Sequence, residues 1–254
     1  MPWTERELRQ QIVEIGRLLY QKGWVAANDG NITARLGPER ILSTPTQVSK
    51  GLMREDDLIV CDMLGNKVEG NRERTSEILM HITIYEMRPD VQAVVHAHPP
   101  VATGFAVAGR ALDLALIPEV IINLSCVPLA SYGLPGTSEL SETLKPFIPE
   151  YDALLMANHG AVTYGPELFR AFFNMETVEH FARITLVAEL LGGPRLLPRE
   201  EVRKLCDARS RYGLPGRSAS SPVSPVAAED AGSSRSITRE EILLLVDELL
   251  RVRG

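Results

Sequence analysis

Three histidines stand just after two apolar segments of the sequence. His96-Ala97-His98 closes the apolar run 93–95, and His159 follows the apolar segment 153–156. Residues i and i+2 of a strand share a face, so one ion is within reach of both His96 and His98. Three imidazole ligands leave an open position on zinc, as a catalytic site requires. Isolated His-x-His pairs are also common as surface or hydrogen-bonded pairs, so these residues alone leave metal binding and a structural role equally open.

Two further polar clusters are candidates for binding and proton transfer. Thr75-Ser76-Glu77 is typical of a helix N-terminus with an acid in its first turn, and such a terminus also suits a phosphate. Asn28-Asp29-Gly30-Asn31 is typical turn chemistry. His81 and His180 fall on predicted helices, and we interpret both as structural or exposed residues.

Apolar periodicity and turn residues predict the elements that carry these clusters. The first helix, 4–22, begins with a capping box of Thr4 and Glu7. The remaining predicted helices are 75–87, 99–107, 137–145 and 166–191. Predicted strands are 32–36, 40–43, 58–61, 67–69, 91–96, 127–130, 153–156 and a last one ending at 164. Early strands pair locally and no steady βα alternation follows, which predicts an α/β fold with a mostly antiparallel or mixed sheet flanked by helices.

Composition excludes several classes of protein. The 254 residues are 44% apolar, enough for one substantial core, and the net charge of -6 without a Lys/Arg stripe argues against nucleic-acid binding. Three scattered cysteines without a CxxC pair favour a reducing compartment. We see no signal-peptide pattern and no apolar run long enough for a membrane span, so we expect a cytoplasmic protein without a membrane partner.

The chain is predicted to end in a tether and a short helix. Composition turns rich in Ser, Ala, Pro and Gly after about residue 213, which predicts a flexible linker. Thr238 and Glu241 form a second capping box, ahead of an apolar face that includes Leu245 and Leu249. We therefore divide the chain into a catalytic domain at 1–205, a linker at 206–236 and an amphipathic helix at 237–254.

Five segments, in order and at matching spacing, resemble the class II aldolase family, which includes L-fuculose-1-phosphate aldolase. They are Asn28–Thr33, Ser43–Thr46, Thr75–Glu77, His96–His98 and Asn158–Gly160, and the resemblance spans about residues 8–192. It implies a three-layer α/β fold with a nine-stranded antiparallel sheet. It also implies a homotetramer with active sites between subunits and a phosphorylated sugar as substrate.

The resemblance assigns roles to individual residues. It implies a zinc ion on His96, His98 and His159, with Glu77 as the acid/base and as a further ligand when substrate is absent. The implied phosphate-binding residues are Asn31, Thr46, Gln47, Thr75 and Ser76.

The sequence departs from the family at two places. Gln47 stands where the family often has Gly, and Lys50 nearby is either a source of positive charge or a surface lysine. The family's tyrosine proton donor has no counterpart in Ile117-Pro118-Glu119. Glu119 or Tyr132 is our candidate for that task.

The predicted activity is the cleavage of a ketose 1-phosphate, of fuculose or rhamnulose type, to dihydroxyacetone phosphate and an aldehyde. A sugar-phosphate 4-epimerase, dehydratase or decarboxylase on the same scaffold is the alternative, although the epimerases carry Asp where this chain has Glu77. A non-catalytic adducin-like module is a further alternative.

Residues 237–254 resemble an encapsulation peptide of bacterial microcompartment cargo. This resemblance predicts shell or cargo proteins as partners and a location in the compartment lumen. The other interpretation is that the helix packs on the protein's own tetramer.

Overall fold

The computed structural model describes residues 3–212, which form eight strands and seven α-helices. The strands are β1 Asn31–Arg35, β2 Arg40–Ser43, β3 Ile59–Asp62, β4 Lys67–Glu69, β5 Ala93–Ala97, β6 Leu129–Ala130, β7 Ala153–Met156 and β8 Gly160–Gly165. The helices are α1 Glu5–Gln21, α2 Ile78–Met87, α3 Pro100–Val107, α4 Pro118–Asn123, α5 Ser138–Leu144, α6 Leu168–Leu190 and α7 Arg199–Ala208. Two short 3-10 helices cover Glu55–Asp57 and Arg209–Tyr212.

All eight described strands form one sheet in the order β4-β3-β2-β1-β5-β8-β7-β6. Its pairs are antiparallel except β6 with β7, which is parallel. The predicted α/β fold with a mostly antiparallel sheet is therefore confirmed. The implied count of nine antiparallel strands is wrong for the described residues, because they contain eight strands and one parallel pair.

Alternation along the strands divides the core into two layers. In β5, Ala93, Val95 and Ala97 join the core that packs under α1, α3 and α6, whereas Val94 joins the core under α2 and α5. Successive residues of a strand point to opposite faces, so a strand with apolar residues at both phases is buried on both sides. This arrangement gives the three layers that the resemblance implied.

The N-terminal helix begins as its sequence predicts. The Thr4 hydroxyl accepts a hydrogen bond from the Glu7 amide, and the Glu7 carboxylate accepts one from the Thr4 amide at 2.7 Å. The stripe Ile12, Ile15 and Leu19 is fully buried against the sheet. None of the helices within residues 3–212 combines the length and apolar composition needed to cross a bilayer.

Three features differ from the predicted elements. Helix α2 begins at Ile78 with Glu77 as its N-cap, so the prediction that it begins at Thr75 is wrong. Helices α4 and α7 were not predicted, and they pack on each other through Ile121 and Val202. The guanidinium of Arg209, directly after α7, donates to the carbonyls of Ile121 and Ile122. Helix α7 and the following 3-10 helix continue to Tyr212, past the predicted boundary at 205. The rest of the predicted linker and the predicted helix 237–254 lie outside the described residues.

Candidate metal and acid–base site

Strand register brings the three histidines together. Strand β5 lies between β1 and β8, with His96 opposite Asn31 on one side and opposite Val162 on the other. His159 belongs to the short loop that joins β7 to β8, where Asn158 has a positive φ of 56°. Asparagine tolerates this left-handed backbone better than most residues. The loop therefore places His159 beside the end of β5, where His96 and His98 lie.

The three imidazoles present one nitrogen each to a common point. These ligand atoms all lie within 4.8 Å of one another, and the Nε2 atoms of His96 and His98 are 3.2 Å apart. Ligands at about 2.0–2.1 Å from a tetrahedral zinc ion are separated by about 3.3 Å. The spacing of His96 and His98 matches that edge.

Glu77 closes the cluster from the start of α2. Its Oε1 lies 3.1 Å from Nε2 of His159, and its Oε2 lies 3.3 Å from Nε2 of His96. The side-chain amide of Asn31 donates to Oε2 at 2.8 Å. Burial raises the pKa of this carboxyl, but the attraction of His96 and His159 outweighs burial, so the pKa lies well below its usual range. Glu77 is therefore held as a carboxylate among the histidines.

The donor and acceptor pattern fits a divalent cation. Nδ1 of His96 lies 2.9 Å from the carbonyl of Ala161, which only accepts, so Nδ1 carries a proton and Nε2 is the atom that would bind a metal once the ring is neutral. Nε2 of His96 faces the Oε2 of Glu77 at 3.3 Å. When the ring is neutral, Nε2 of His96 and Oε2 of Glu77 are both acceptors, and a metal ion beside them would stabilise the pair. Asp29 lies 3.5 Å from Nδ1 of His98, the carboxylate–histidine contact that orients many metal ligands.

The residues assigned to phosphate come from two neighbouring segments. An isolated bridge pairs Pro45 with Arg74, and the amide of Thr46 donates to the carbonyl of Glu73 at 3.0 Å. Thr46 and Thr75 therefore lie on adjoining loops. Ser76 and Gln47 are exposed on the same two loops. The backbone of Gln47 has a φ of 57°, in the region that glycine favours, which accounts for the glycine that the family often has there.

Lys50 is buried, so its interpretation as a surface lysine is wrong. The residue is only 1% exposed, and its ammonium donates at 3.0 Å to the carbonyls of both Asn28 and Val48. Burial lowers the pKa of Lys50 to about 8. Its cation joins the turn before β1 to the loop that carries Thr46 and Gln47.

The two candidate proton donors are both exposed in this single chain. Glu119 is exposed on α4, and Tyr132 is about half exposed shortly after β6. In the described part of the chain, neither side chain makes a hydrogen bond to Glu77 or to the three histidines. Because β6 runs parallel to β7, Tyr132 and His159 follow corresponding ends of neighbouring strands.

The hydrogen bonds of His81 were not predicted from the sequence. His81 is fully buried, which excludes the exposed position that was one of its two interpretations, and it hydrogen-bonds directly to the side chains of Asn31 and Thr33. The signal was present in the sequence, because Glu77, His81 and Tyr85 recur every four residues along one face of α2.

Comparison with known proteins agrees with this fold. Residues 10–186 match the class II aldolase and adducin N-terminal domain, so the chain belongs to that family. An L-fuculose phosphate aldolase of Methanococcus maripaludis is 32% identical over 177 residues, covering 70% of this chain and 95% of the relative. A 3-oxo-tetronate 4-phosphate decarboxylase of Pectobacterium atrosepticum is 29% identical over 189 residues, covering 72% and 86%. A solved L-fuculose 1-phosphate aldolase superposes with a TM-score of 0.74 at 29% identity, covering 82% of this chain and 97% of that chain.

Proposed function

We propose that this protein is a metal-dependent lyase that cleaves a ketose 1-phosphate to dihydroxyacetone phosphate and an aldehyde. The observation that carries the proposal is the Glu77 carboxylate, which lies 3.1 Å from His159 and 3.3 Å from His96 at the cluster of three imidazoles. His96, His98 and His159 would hold a divalent ion, and zinc suits a set of three nitrogen donors. When bound, such an ion supplies Lewis-acid stabilisation of negative charge on a substrate oxygen.

The proposed task of Glu77 follows from the bond that breaks. Cleavage between C3 and C4 of the ketose leaves the electron pair on C3, next to the C2 carbonyl, while C4 becomes the aldehyde carbon as its hydroxyl loses a proton. The Glu77 carboxylate would first take up a proton from solvent and then deliver it to C3, which completes dihydroxyacetone phosphate. A second group must accept the proton of the C4 hydroxyl, and we propose Glu119 or Tyr132, supplied by a neighbouring subunit of a homotetramer.

The phosphate group of the substrate would lie on the adjoining loops. We propose Thr46, Gln47, Thr75 and Ser76 as its ligands. The buried Lys50 would stabilise the loop of Thr46 and Gln47 through its hydrogen bond to the carbonyl of Val48. Asn31 stays a sequence-based prediction for this role, because its side-chain amide is engaged with Glu77 and His81 in this structure.

Decarboxylation of a phosphorylated 3-oxo acid is the second candidate. It is favoured by the similarity to the decarboxylase of Pectobacterium atrosepticum. Loss of CO₂ also leaves an electron pair on a carbon next to a carbonyl, so Glu77 would protonate the same kind of carbon in both reactions. The two candidates differ in whether the departing group is an aldehyde or CO₂.

The deciding experiment combines metal analysis with substrate assays on Glu77→Gln. Purified protein is analysed for bound metal and then assayed for aldehyde release from fuculose, rhamnulose and 5-deoxyribulose 1-phosphates, and for CO₂ release from 3-oxo-tetronate 4-phosphate. We expect about one metal per chain and aldehyde release, with kcat lowered about 10²–10⁴-fold in Glu77→Gln, the usual contribution of a positioned acid or base.

Glu86→Gln is the matched control, because Glu86 is exposed near the other end of α2. It should keep wild-type turnover. A protein without bound divalent metal would refute the proposal, and CO₂ release without aldehyde would replace the aldolase by the decarboxylase.

The assembly and the C-terminal segment are proposals from sequence alone. We propose a homotetramer, which light scattering after gel filtration would test, and recruitment of the enzyme into a microcompartment by residues 237–254. These residues lie outside the described part of the chain. Fusing 237–254 to a fluorescent protein in a compartment-forming host should give punctate fluorescence, and diffuse fluorescence would contradict recruitment.

A further inference from the structure

Helix α2 faces strand β1 with a matched set of polar side chains. Glu77, His81 and Tyr85 are four residues apart on the helix, and Asn31 and Thr33 are two apart on the strand. Four helical residues advance about 6 Å and two strand residues about 6.8 Å. The spacing of the polar residues is therefore similar on the helix and on the strand, and each of the three helix residues reaches a partner on β1.

The hydrogen bonds between them form one continuous chain. Asn31 Nδ2 lies 2.8 Å from Glu77 Oε2, and Asn31 Oδ1 is hydrogen-bonded to Nε2 of His81. Nδ1 of His81 lies 2.8 Å from the Thr33 hydroxyl, which lies 2.8 Å from the Tyr85 hydroxyl. All five side chains are buried, so water does not compete for these bonds.

The chemistry of each group fixes the direction of every bond. The Glu77 carboxylate only accepts, so the Asn31 NH₂ group must face it and Asn31 Oδ1 must face His81. Oδ1 also only accepts, so His81 carries a proton on Nε2. A neutral His81 then accepts from the Thr33 hydroxyl, and Thr33 accepts from Tyr85. Complete burial lowers the pKa of His81 to about 3, with His96 acting in the same direction and Glu77 opposing, so the ring is neutral.

We propose that His81 is a positioning residue for Glu77: its Nε2–H holds the Asn31 amide in the one orientation that donates to Glu77 Oε2. Fixing Oε2 in this way also fixes Oε1 of Glu77, which lies 3.1 Å from Nε2 of His159. The consequence for turnover rests on the proposed function of Glu77 as the acid/base. The orientation of the Asn31 amide and the tautomer of His81 do not depend on that function.

The tautomer is tested first, without any assay of activity. Metal-loaded protein labelled with ¹⁵N-histidine is observed by long-range ¹H–¹⁵N correlation at pH 7.5, and His81 is assigned by the signals that disappear in His81→Gln. We expect a neutral ring protonated on Nε2. An imidazolium, or a ring protonated on Nδ1, would overturn the proposal.

Kinetics then test whether the tautomer matters for Glu77. His81→Leu removes the donor to Asn31, whereas His81→Gln places an amide N–H close to the former Nε2. We expect kcat of His81→Leu to fall about 10–100-fold, the range found for residues that orient functional side chains through hydrogen bonds. Bound metal should stay unchanged and KM within about threefold, and His81→Gln should recover most of the loss.

The outcomes separate this proposal from general packing and from the proposed function. Equal losses in His81→Leu and His81→Gln, or wild-type kcat in His81→Leu, would overturn it. If His81→Leu does not fold, Tyr85→Phe and His81→Gln carry the test. Both keep the Asn31 donor and should stay within a few-fold of wild-type kcat, so a large loss in either would overturn it. A wild-type protein without lyase activity would refute the proposed function and leave the ¹⁵N result to decide the role of His81.

Discussion

At the scale of single residues, the site depends on side chains whose orientation is fixed by hydrogen bonds or by close packing. His96 is fixed by the bond of its Nδ1 to Ala161, and His98 by Gly160, which packs against its ring. A Cβ added at Gly160 would lie 2.5 Å from Cδ2 of His98 and 2.7 Å from the carbonyl oxygen of Ala97. The glycine is therefore required by the close approach of strand β8 to the His98 imidazole.

Gly160→Ala is expected to weaken metal binding. The new methyl group must displace the His98 ring or the β5 backbone, and we expect zinc affinity to fall about 10–100-fold, as for other residues that orient metal ligands. Competition with a chromophoric chelator measures the affinity. Gly104→Ala is the control, because a Cβ there meets nothing within 4 Å. Unchanged affinity in Gly160→Ala would contradict the packing argument.

At the scale of elements, the start of helix α3 is tied to α6 by a buried carboxylate. Glu179, only 1% exposed, accepts hydrogen bonds from the amides of Ala102 and Val101 at 2.9 and 3.4 Å. These amides belong to the first turn of α3, where backbone N–H groups have no partner within the helix. Because α3 begins just after His98, Glu179 also secures the segment that carries a candidate metal ligand.

Glu179→Ala should destabilise the protein by about 2–3 kcal/mol. Its loss leaves a buried amide without an acceptor and removes charge-assisted hydrogen bonds. Urea unfolding at fixed protein concentration measures the effect. Glu176→Ala on the same helix is the control: its ion pair with Lys22 is partly exposed, so it should cost at most about 1 kcal/mol. Equal losses in the two variants would exclude the capping role.

The loop that contains Lys50 should give stability a pH dependence. Burial lowers the pKa of Lys50 to about 8 in the folded protein, against about 10.4 in an unfolded chain. The unfolded chain therefore binds more protons between these values, and the free energy of unfolding rises with pH across that window. The charged, buried Lys50 destabilises the folded protein. This destabilisation is fully present below about pH 8 and is lost by about pH 10.

Comparison with Lys50→Met isolates this contribution, because all other titrating groups are shared. Between pH 7 and 10, the free energy of unfolding of the wild type should rise relative to the variant by up to about 3 kcal/mol, at about 1.4 kcal/mol per pKa unit. Urea unfolding at each pH gives the difference. A difference that does not change with pH would show that the Lys50 ammonium is not desolvated.

At the scale of the whole molecule, the proposed metal joins distant parts of the chain. Its proposed ligands come from the end of β5, the β7–β8 loop and the start of α2, so the site exists only in the folded protein. A ligand that binds only the folded state stabilises it by about 2.7 kcal/mol at 100 times its dissociation constant. Metal should therefore act on the stability of the entire domain.

Metal removal should lower the melting temperature. Protein stripped with a chelator should melt below the untreated protein, and added zinc should restore the loss, as scanning calorimetry would show. His159→Ala should lose this response, whereas His180→Ala should keep it because His180 is exposed on α6. A melting temperature that ignores zinc would argue against a site built from these three elements.

The sequence by itself determined the features that depend on local periodicity. The capping box at Thr4 and Glu7, the strand phases and the shared face of His96 and His98 need only neighbouring residues. The change in composition after residue 213 is likewise visible without a fold. These features predicted most helices and strands to within a few residues. The family resemblance supplied the roles expected for the metal-ligating, acid/base and phosphate-binding residues.

Only the tertiary structure decided which distant residues meet. The placement of β5 between β1 and β8 sets His96 opposite Asn31 and brings His159 to its side, and that register links residues far apart in the chain. The burial of Lys50, the start of α2 at Ile78 and the bond from His81 to Asn31 have the same origin. Local pattern cannot encode them, because the free energy of such contacts depends on which strands and helices become neighbours when the chain folds.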